Sequence, residues 1–77
     1  MNSVDLVELY QRTQDAARRL EAEAAEIHEL TKRLETLTKD TPAWFAGTRV
    51  RVEASSALEH MEELSRVLEE LGERLGE

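Results

Sequence analysis

Asp40-Thr41-Pro42-Ala43-Trp44-Phe45-Ala46-Gly47 is the one stretch of this chain at which a long helical pattern stops and restarts. Pro42 is the only proline, Trp44 the only tryptophan and Phe45 the only phenylalanine, while the remaining glycines, Gly72 and Gly76, lie near the C-terminus. The stretch is therefore a corner, and the rest of the chain is two arms joined by it. Asp40 and Thr41 offer side-chain oxygens that can cap a new helix, and Pro42 suits a first helical position, where the missing N–H costs nothing. Gly47 weakens a helix by about 1 kcal/mol relative to Ala, so the expected division is a corner over about 40–47 and a second helix over about 48–75. Thr48 to Val52 alternates like a strand but is short and has no pairing partner elsewhere, so helix is the expectation there too.

Before the corner, apolar residues recur at alternating steps of three and four: Leu6, Leu9, Thr13, Ala16, Leu20, Glu23, Ile27, Leu30, Leu34 and Leu37. This is a heptad seam, interrupted by Thr13 and Glu23. Beside it runs a second stripe of mostly small residues, Tyr10, Ala17, Ala24 and Thr31, which lets another helix approach closely. Asn2 and Ser3 are capping types, and Asp5 and Glu8 put negative charge in the first turn, so the first helix is expected over about 4–39, roughly 50 Å at 1.5 Å per residue. Glu29 with Arg33 and Glu35 with Lys39 are four-apart ion pairs in the favourable order. After the corner the heptad is cleaner: Gly47, Val50, Ala54, Ala57, Met61, Leu64, Leu68, Leu71 and Leu75, broadened by Leu58 and Val67. Gly76 is placed to end the second helix, and Gly72 predicts fraying of its last turn.

Two heptad arms joined by a short corner fold back on one another, and the fold class is all-α, an antiparallel two-helix hairpin. With the corner centred near Trp44, Ile27 falls level with His60 or Met61, and Leu9 near the C-terminal end. Such a hairpin covers only one side of each apolar stripe. The small-residue face and the broadened second stripe call for a further pair of helices, so a four-helix bundle or coiled coil is the expected assembly. The expected partner interface is Leu6, Leu9, Tyr10, Ala17, Leu20, Ala24, Ile27, Leu30, Leu34, Trp44, Phe45, Leu58, Met61, Leu64, Val67, Leu68 and Leu71.

Composition narrows the function classes. At 77 residues the chain is a single small domain that needs a staple or a second chain to bury enough surface, and it has no cysteine to supply a disulfide. Charged residues make up 35% and aromatics 4%, a long-helix composition. Ten Lys and Arg against seventeen Asp and Glu give a net charge of -7, which opposes nucleic acid and anionic membranes and favours a basic partner. No apolar run approaches a membrane span and no signal-peptide pattern opens the chain, so a cytoplasmic product is expected, with export only by a leaderless route.

No catalytic constellation emerges. Ser55, Ser56 and Ser65 lack a base with an orienting partner, and no enzyme activity or cofactor is expected. His28 and His60, flanked by Glu26 and Glu59, are the only metal-ligand types near one level, but Ala25 and Ala57 stand where a bundle iron site wants Glu three residues before His. Arg49 and Arg51 are the one basic patch beside the aromatic corner. Glu23, a carboxylate in the seam, must reach solvent or pair with a basic side chain, and such residues fix register or oligomeric state. Trp44 and Phe45 leave two readings open, a hydrophobic plug at the hairpin end or an anchor for a partner.

Trp44 and Gly47, preceded by Leu30, Leu34 and Leu37 and followed by the stripe from Val50, make the chain resemble the Trp-x-Gly helical hairpins of bacterial type VII secretion. The resemblance implies two long antiparallel helices that pair into four-helix bundles with a related hairpin or an effector. Here the spacing Trp44-Phe45-Ala46-Gly47 is one residue longer than in that family. The family's C-terminal tyrosine signal has no counterpart, since Tyr10 is the only tyrosine. A second reading, from a different class, is a small acidic regulator such as an antitoxin, a phage-encoded inhibitor or an adaptor. Its support is the seven acids between Glu59 and Glu77, against Arg66 and Arg74.

Overall fold

The computed structural model describes residues 3–76, and side chains from Asp5 onward. It consists of two helices, α1 (Ser3–Thr38) and α2 (Trp44–Leu75), packed side by side in opposite directions as an antiparallel hairpin measuring 58 × 16 × 15 Å. Asn2 and the side chain of Ser3, expected to cap the first helix, lie outside the described residues.

The corner is shorter than expected. α2 begins at Trp44, four residues before Thr48, so Trp44, Phe45 and Gly47 are helical and only residues 39–43 connect the arms. Two successive turns explain this. The Thr41 N–H donates to the Thr38 carbonyl at 3.0 Å, and the Trp44 N–H donates to the Thr41 carbonyl at 3.1 Å. Pro42 is the second residue of the latter turn, and Ala43 its third with φ -85° and ψ -1°, the arrangement in which proline's fixed φ is favoured. The Thr41 hydroxyl does double duty. It donates to the Thr38 carbonyl at 2.8 Å, satisfying an end-of-helix acceptor, and accepts from the Ala43 N–H at 3.1 Å. The expected cap from Asp40 or Thr41 onto the start of a helix at Pro42 is replaced by this turn, and Ala43, without a side-chain cap, occupies the boundary.

Packing reverses the expected roles of the two faces of α1. The small-residue stripe closes the hairpin: Ala17, Ala24 and Thr31 are buried, and Tyr10, Gln14, Glu21, His28, Glu35 and Thr38 are half-buried along the same line. They meet Gly47, Arg51, Ala54, Leu58, Met61, Ser65, Leu68 and Gly72 of α2, of which Ala54 and Leu68 are buried. Small side chains permit this closeness, and a glycine marks each end of it. A Cβ on Gly47 would overlap the Thr38 hydroxyl, and one on Gly72 would overlap the ring and hydroxyl of Tyr10. Gly72 is thus a packing residue inside α2, where fraying was expected. The helix runs on to Leu75, with the Gly76 N–H returning to the Gly72 carbonyl at 3.1 Å.

Polar bonds fix the register. The Tyr10 hydroxyl donates to the Leu68 carbonyl at 2.8 Å, reachable because Gly72, one turn on, carries no side chain to shield it. Ser65 Oγ donates to Glu21 Oε2 at 2.6 Å, and Arg51 Nε to Glu35 Oε1 at 2.8 Å. Glu35 therefore pairs across the hairpin, and Glu29 pairs with Lys32 at 3.0 Å; the expected partners were Lys39 and Arg33. The buried Thr31 hydroxyl is satisfied locally by the His28 carbonyl at 2.7 Å.

The fit of Tyr10 over Gly72 gives a sign-reversal test. Gly72→Ala, a better helix former by about 1 kcal/mol, is expected to lower the melting temperature because it expels Tyr10 and breaks a hydrogen bond worth about 1 kcal/mol. In a Tyr10→Ala background the same change is expected to raise it. Thermal circular dichroism at fixed concentration reads both, and stabilisation in both backgrounds would remove Tyr10 from the register.

Candidate functional site

With the hairpin closed by alanine, threonine and glycine, the large apolar side chains point elsewhere. Among the described residues the buried apolar set is only Ala17, Ala24, Ala54 and Leu68, whereas sixteen large apolar or aromatic residues are exposed. The leucine seam of α1 is about half open along its length, from Leu6 and Leu9 through Leu20, Ile27, Leu30 and Leu34 to Leu37 at 77%. Val50, Leu64 and Leu71 do the same on α2.

These two half-open seams share one side of the hairpin. Leu9, Thr13, Ala16 and Leu20 of α1 line a groove with Leu64 of α2. Further toward the corner, Leu20, Ala24 and Ile27 line a second groove with Ala54, Ala57 and Met61, bordered by Glu23 and His60. Ile27 thus lies level with His60 and Met61, the register expected from the corner. On the other side Gln14, Arg18 and Glu21 of α1 line a polar cleft with Ser65 and Glu69 of α2. Elsewhere on the surface Arg66 bridges Glu63 and, at 3.0 Å, Glu70, while Lys32 pairs with Glu29. The Arg66 hydrogen bonds hold the Glu63 carboxyl below the usual carboxylate range, and Lys32 does the same for Glu29.

No protein-family model matches this chain, and no curated protein and no solved structure matches it either. The site is therefore characterised by its own geometry.

The expected interface residues divide into two groups. Leu6, Leu9, Leu20, Ile27, Leu30, Leu34, Leu64, Val67 and Leu71 are exposed, all but Val67 belonging to the two seams. Tyr10, Ala17, Ala24, Leu58, Met61 and Leu68, also expected to face a partner, are largely taken up between α1 and α2. Leu37 and Val50 extend the apolar face and belong to the heptads, so the seven-residue repeat already marks them. Trp44 and Phe45 do not plug the hairpin end: they stay 46% and 68% exposed at the start of α2.

His28 is half-buried against α2 while His60 borders the open groove, and among the described residues no group of three or more His, Asp or Glu could hold a metal. Of the two arginines near the corner, Arg51 is committed to Glu35, leaving Arg49 exposed. Among the described residues no helix is long and apolar enough to cross a membrane.

The Glu35–Arg51 pair ties the hairpin to pH. The Arg51 hydrogen bond holds the Glu35 carboxyl below its ordinary value, and Thr48, whose buried hydroxyl falls short of a well-formed bond, adds to the shift. Because the folded chain releases this proton more readily than the unfolded one, the stabilisation is complete at neutral pH and is lost as pH falls through the folded value. The melting-temperature difference between the native chain and Glu35→Gln is accordingly expected to be largest near neutrality and to shrink below about pH 4. A difference independent of pH would show that the pair acts through packing alone.

Proposed function

We propose that this chain is a non-enzymatic protein-binding module whose apolar side is covered by helices of another chain, completing a four-helix bundle. The single observation that carries the reading is the continuous leucine-rich face on one side of a hairpin whose own interior is alanine-thin. An exposed apolar surface of this extent marks an interaction site. The hairpin that carries it is 58 Å long and 16 Å across, so one of its sides has a projected area on the order of 900 Å², room for the ~800 Å² per partner of a standard interface. Trp44 and Phe45 at one end add exposed aromatic surface of the kind that anchors partners.

The resemblance to the Trp-x-Gly hairpins supports a secretion-type hairpin that pairs with itself, a related hairpin or an effector. Nucleic acid and membranes are not partners in this reading, given the net charge of -7. The acid excess of α2 supports a second reading, a small acidic regulator that lays Glu62, Glu63, Glu69 and Glu70 over a basic site on a target. The two readings separate on salt: apolar pairing persists at high ionic strength, whereas charge-driven docking weakens steeply.

Light scattering over a dilution series, with helical circular dichroism at the same concentrations, tests the first reading. Leu30→Glu or Leu64→Glu is expected to weaken association at least roughly a hundredfold, since each puts a charge into a desolvated seam. Joint neutralisation of Glu62 and Glu69 to Gln, on the side away from the seams, is expected to leave association intact. The reverse pattern would transfer the function to the acidic side.

A further inference from the structure

We infer that the occupant of the apolar face is a second copy of this chain, set with both corners at the same end, so that α1 of each copy lies on α2 of the other. This rests on the reading of that face as an interface and adds its occupant and orientation. Two observations select them.

The first is the level of the polar interruptions. Glu23 is the one charged residue in the leucine seam of α1, and it borders the same groove as His60 of α2. The bonds between Glu21 and Ser65 and between Glu35 and Arg51 set Glu23 level with about residue 63, so His60 lies within one helical turn of its height. A twofold axis running along the hairpin preserves height and exchanges α1 for α2, so Glu23 of each copy comes within one turn of His60 of the other. The competing arrangement, with the axis across the hairpin, lays α1 on α1. Glu23 lies close to the middle of α1, so in full overlap that arrangement sets Glu23 against Glu23 in an apolar seam, which opposes association.

The second is the charge of the edges. Arg12 and Arg19 border the groove that contains Leu20 and Leu64, with Asp15, which pairs with Arg18, also on its border. On α2 the corresponding edge, one helical turn from Val67, carries Glu63 and Glu70, which share the single Arg66 and retain a negative excess. The lengthwise axis brings Arg12 and Arg19 of α1 beside Glu63 and Glu70 of α2 at nearby heights; the crosswise axis brings Arg12 toward Arg33 of the other copy and leaves only Arg19 near an acid, Glu26. An isologous interface must be complementary to itself, and the lengthwise arrangement satisfies both arginines where the crosswise one satisfies one.

The test uses the full chain carrying a nitroxide at Asp40→Cys, an exposed corner position outside the proposed interface, in a protein with no other cysteine. Pulsed electron paramagnetic resonance of the dimer is expected to give inter-label distances of roughly 30 Å or less, the width of a four-helix bundle with its labels. Distances near the 58 Å hairpin length would overturn the orientation. A chain that stays monomeric at high micromolar concentration would overturn the second copy as occupant. A charge exchange gives an independent readout: Glu23→Lys and His60→Glu are each expected to weaken the dimer roughly tenfold, and together to restore it. Failure of the pair to rescue would overturn the Glu23–His60 contact. A dimer unaffected by Leu64→Glu would instead sink the reading of the face itself, which keeps the two failures apart.

Discussion

The close approach of α1 and α2 across small residues is the constraint from which the rest of this structure follows. Ala17, Ala24 and Ala54 hold little apolar surface, and Gly47 and Gly72 hold none, yet they occupy the seam between the helices. A seam of this kind is set by steric permission more than by burial. Where a Cβ would overlap Thr38 at one end and Tyr10 at the other, only glycine lets the helices close. The rotation of each helix about its axis is then fixed, and the leucines of α1 have nowhere to point except away from α2.

That rotation has an energetic consequence. Burying a leucine is worth about 1.5–3 kcal/mol, and the hairpin buries Leu68 while leaving most of its other leucines open. The directional bonds between the helices, Tyr10 to Leu68, Ser65 to Glu21 and Arg51 to Glu35, specify register but each contributes only modestly. Much of the apolar surface encoded in the sequence is thus left open by the hairpin alone. In the proposed assembly folding and association share one free energy, and the concentration of the partner enters directly into the stability of the chain.

Much of this was legible in the residues. The heptads from Leu6 to Leu37 and from Gly47 to Leu75, with one proline between them, read as two helices folded back, and the level of Ile27 with Met61 followed from the corner. What could not be read was which stripe of α1 would meet α2. Tyr10, Ala17, Ala24 and Thr31 lie three or four residues from Leu6, Leu20 and Ile27, so both stripes are compatible with a hairpin of the same length. Hydrophobicity favours the leucines; shape favours the alanines. The decision rests on contacts remote in sequence, above all Tyr10 with Gly72, and the meaning of Gly72 is invisible until Tyr10 is placed over it. The start of α2 was hidden differently: a glycine at 47 argues against a helix locally, whereas its packing against Thr38 places it inside one.

The division of labour between the two sides also bears on how a chain with a net charge of -7 can be proposed to pair with itself. Self-repulsion of that size opposes any approach of two copies averaged over their surfaces, but the charge is not averaged. Arg12 and Arg19, with Asp15, line the apolar groove on α1, while Glu63 and Glu70 share the single Arg66 on α2. Repulsion over the whole surface suppresses random association through the acidic sides, and local attraction at the edges of the apolar side is left to select one arrangement. Net charge then acts as a filter on how copies meet and does not forbid that they meet, which reconciles an acidic chain with an interface built from its own surface.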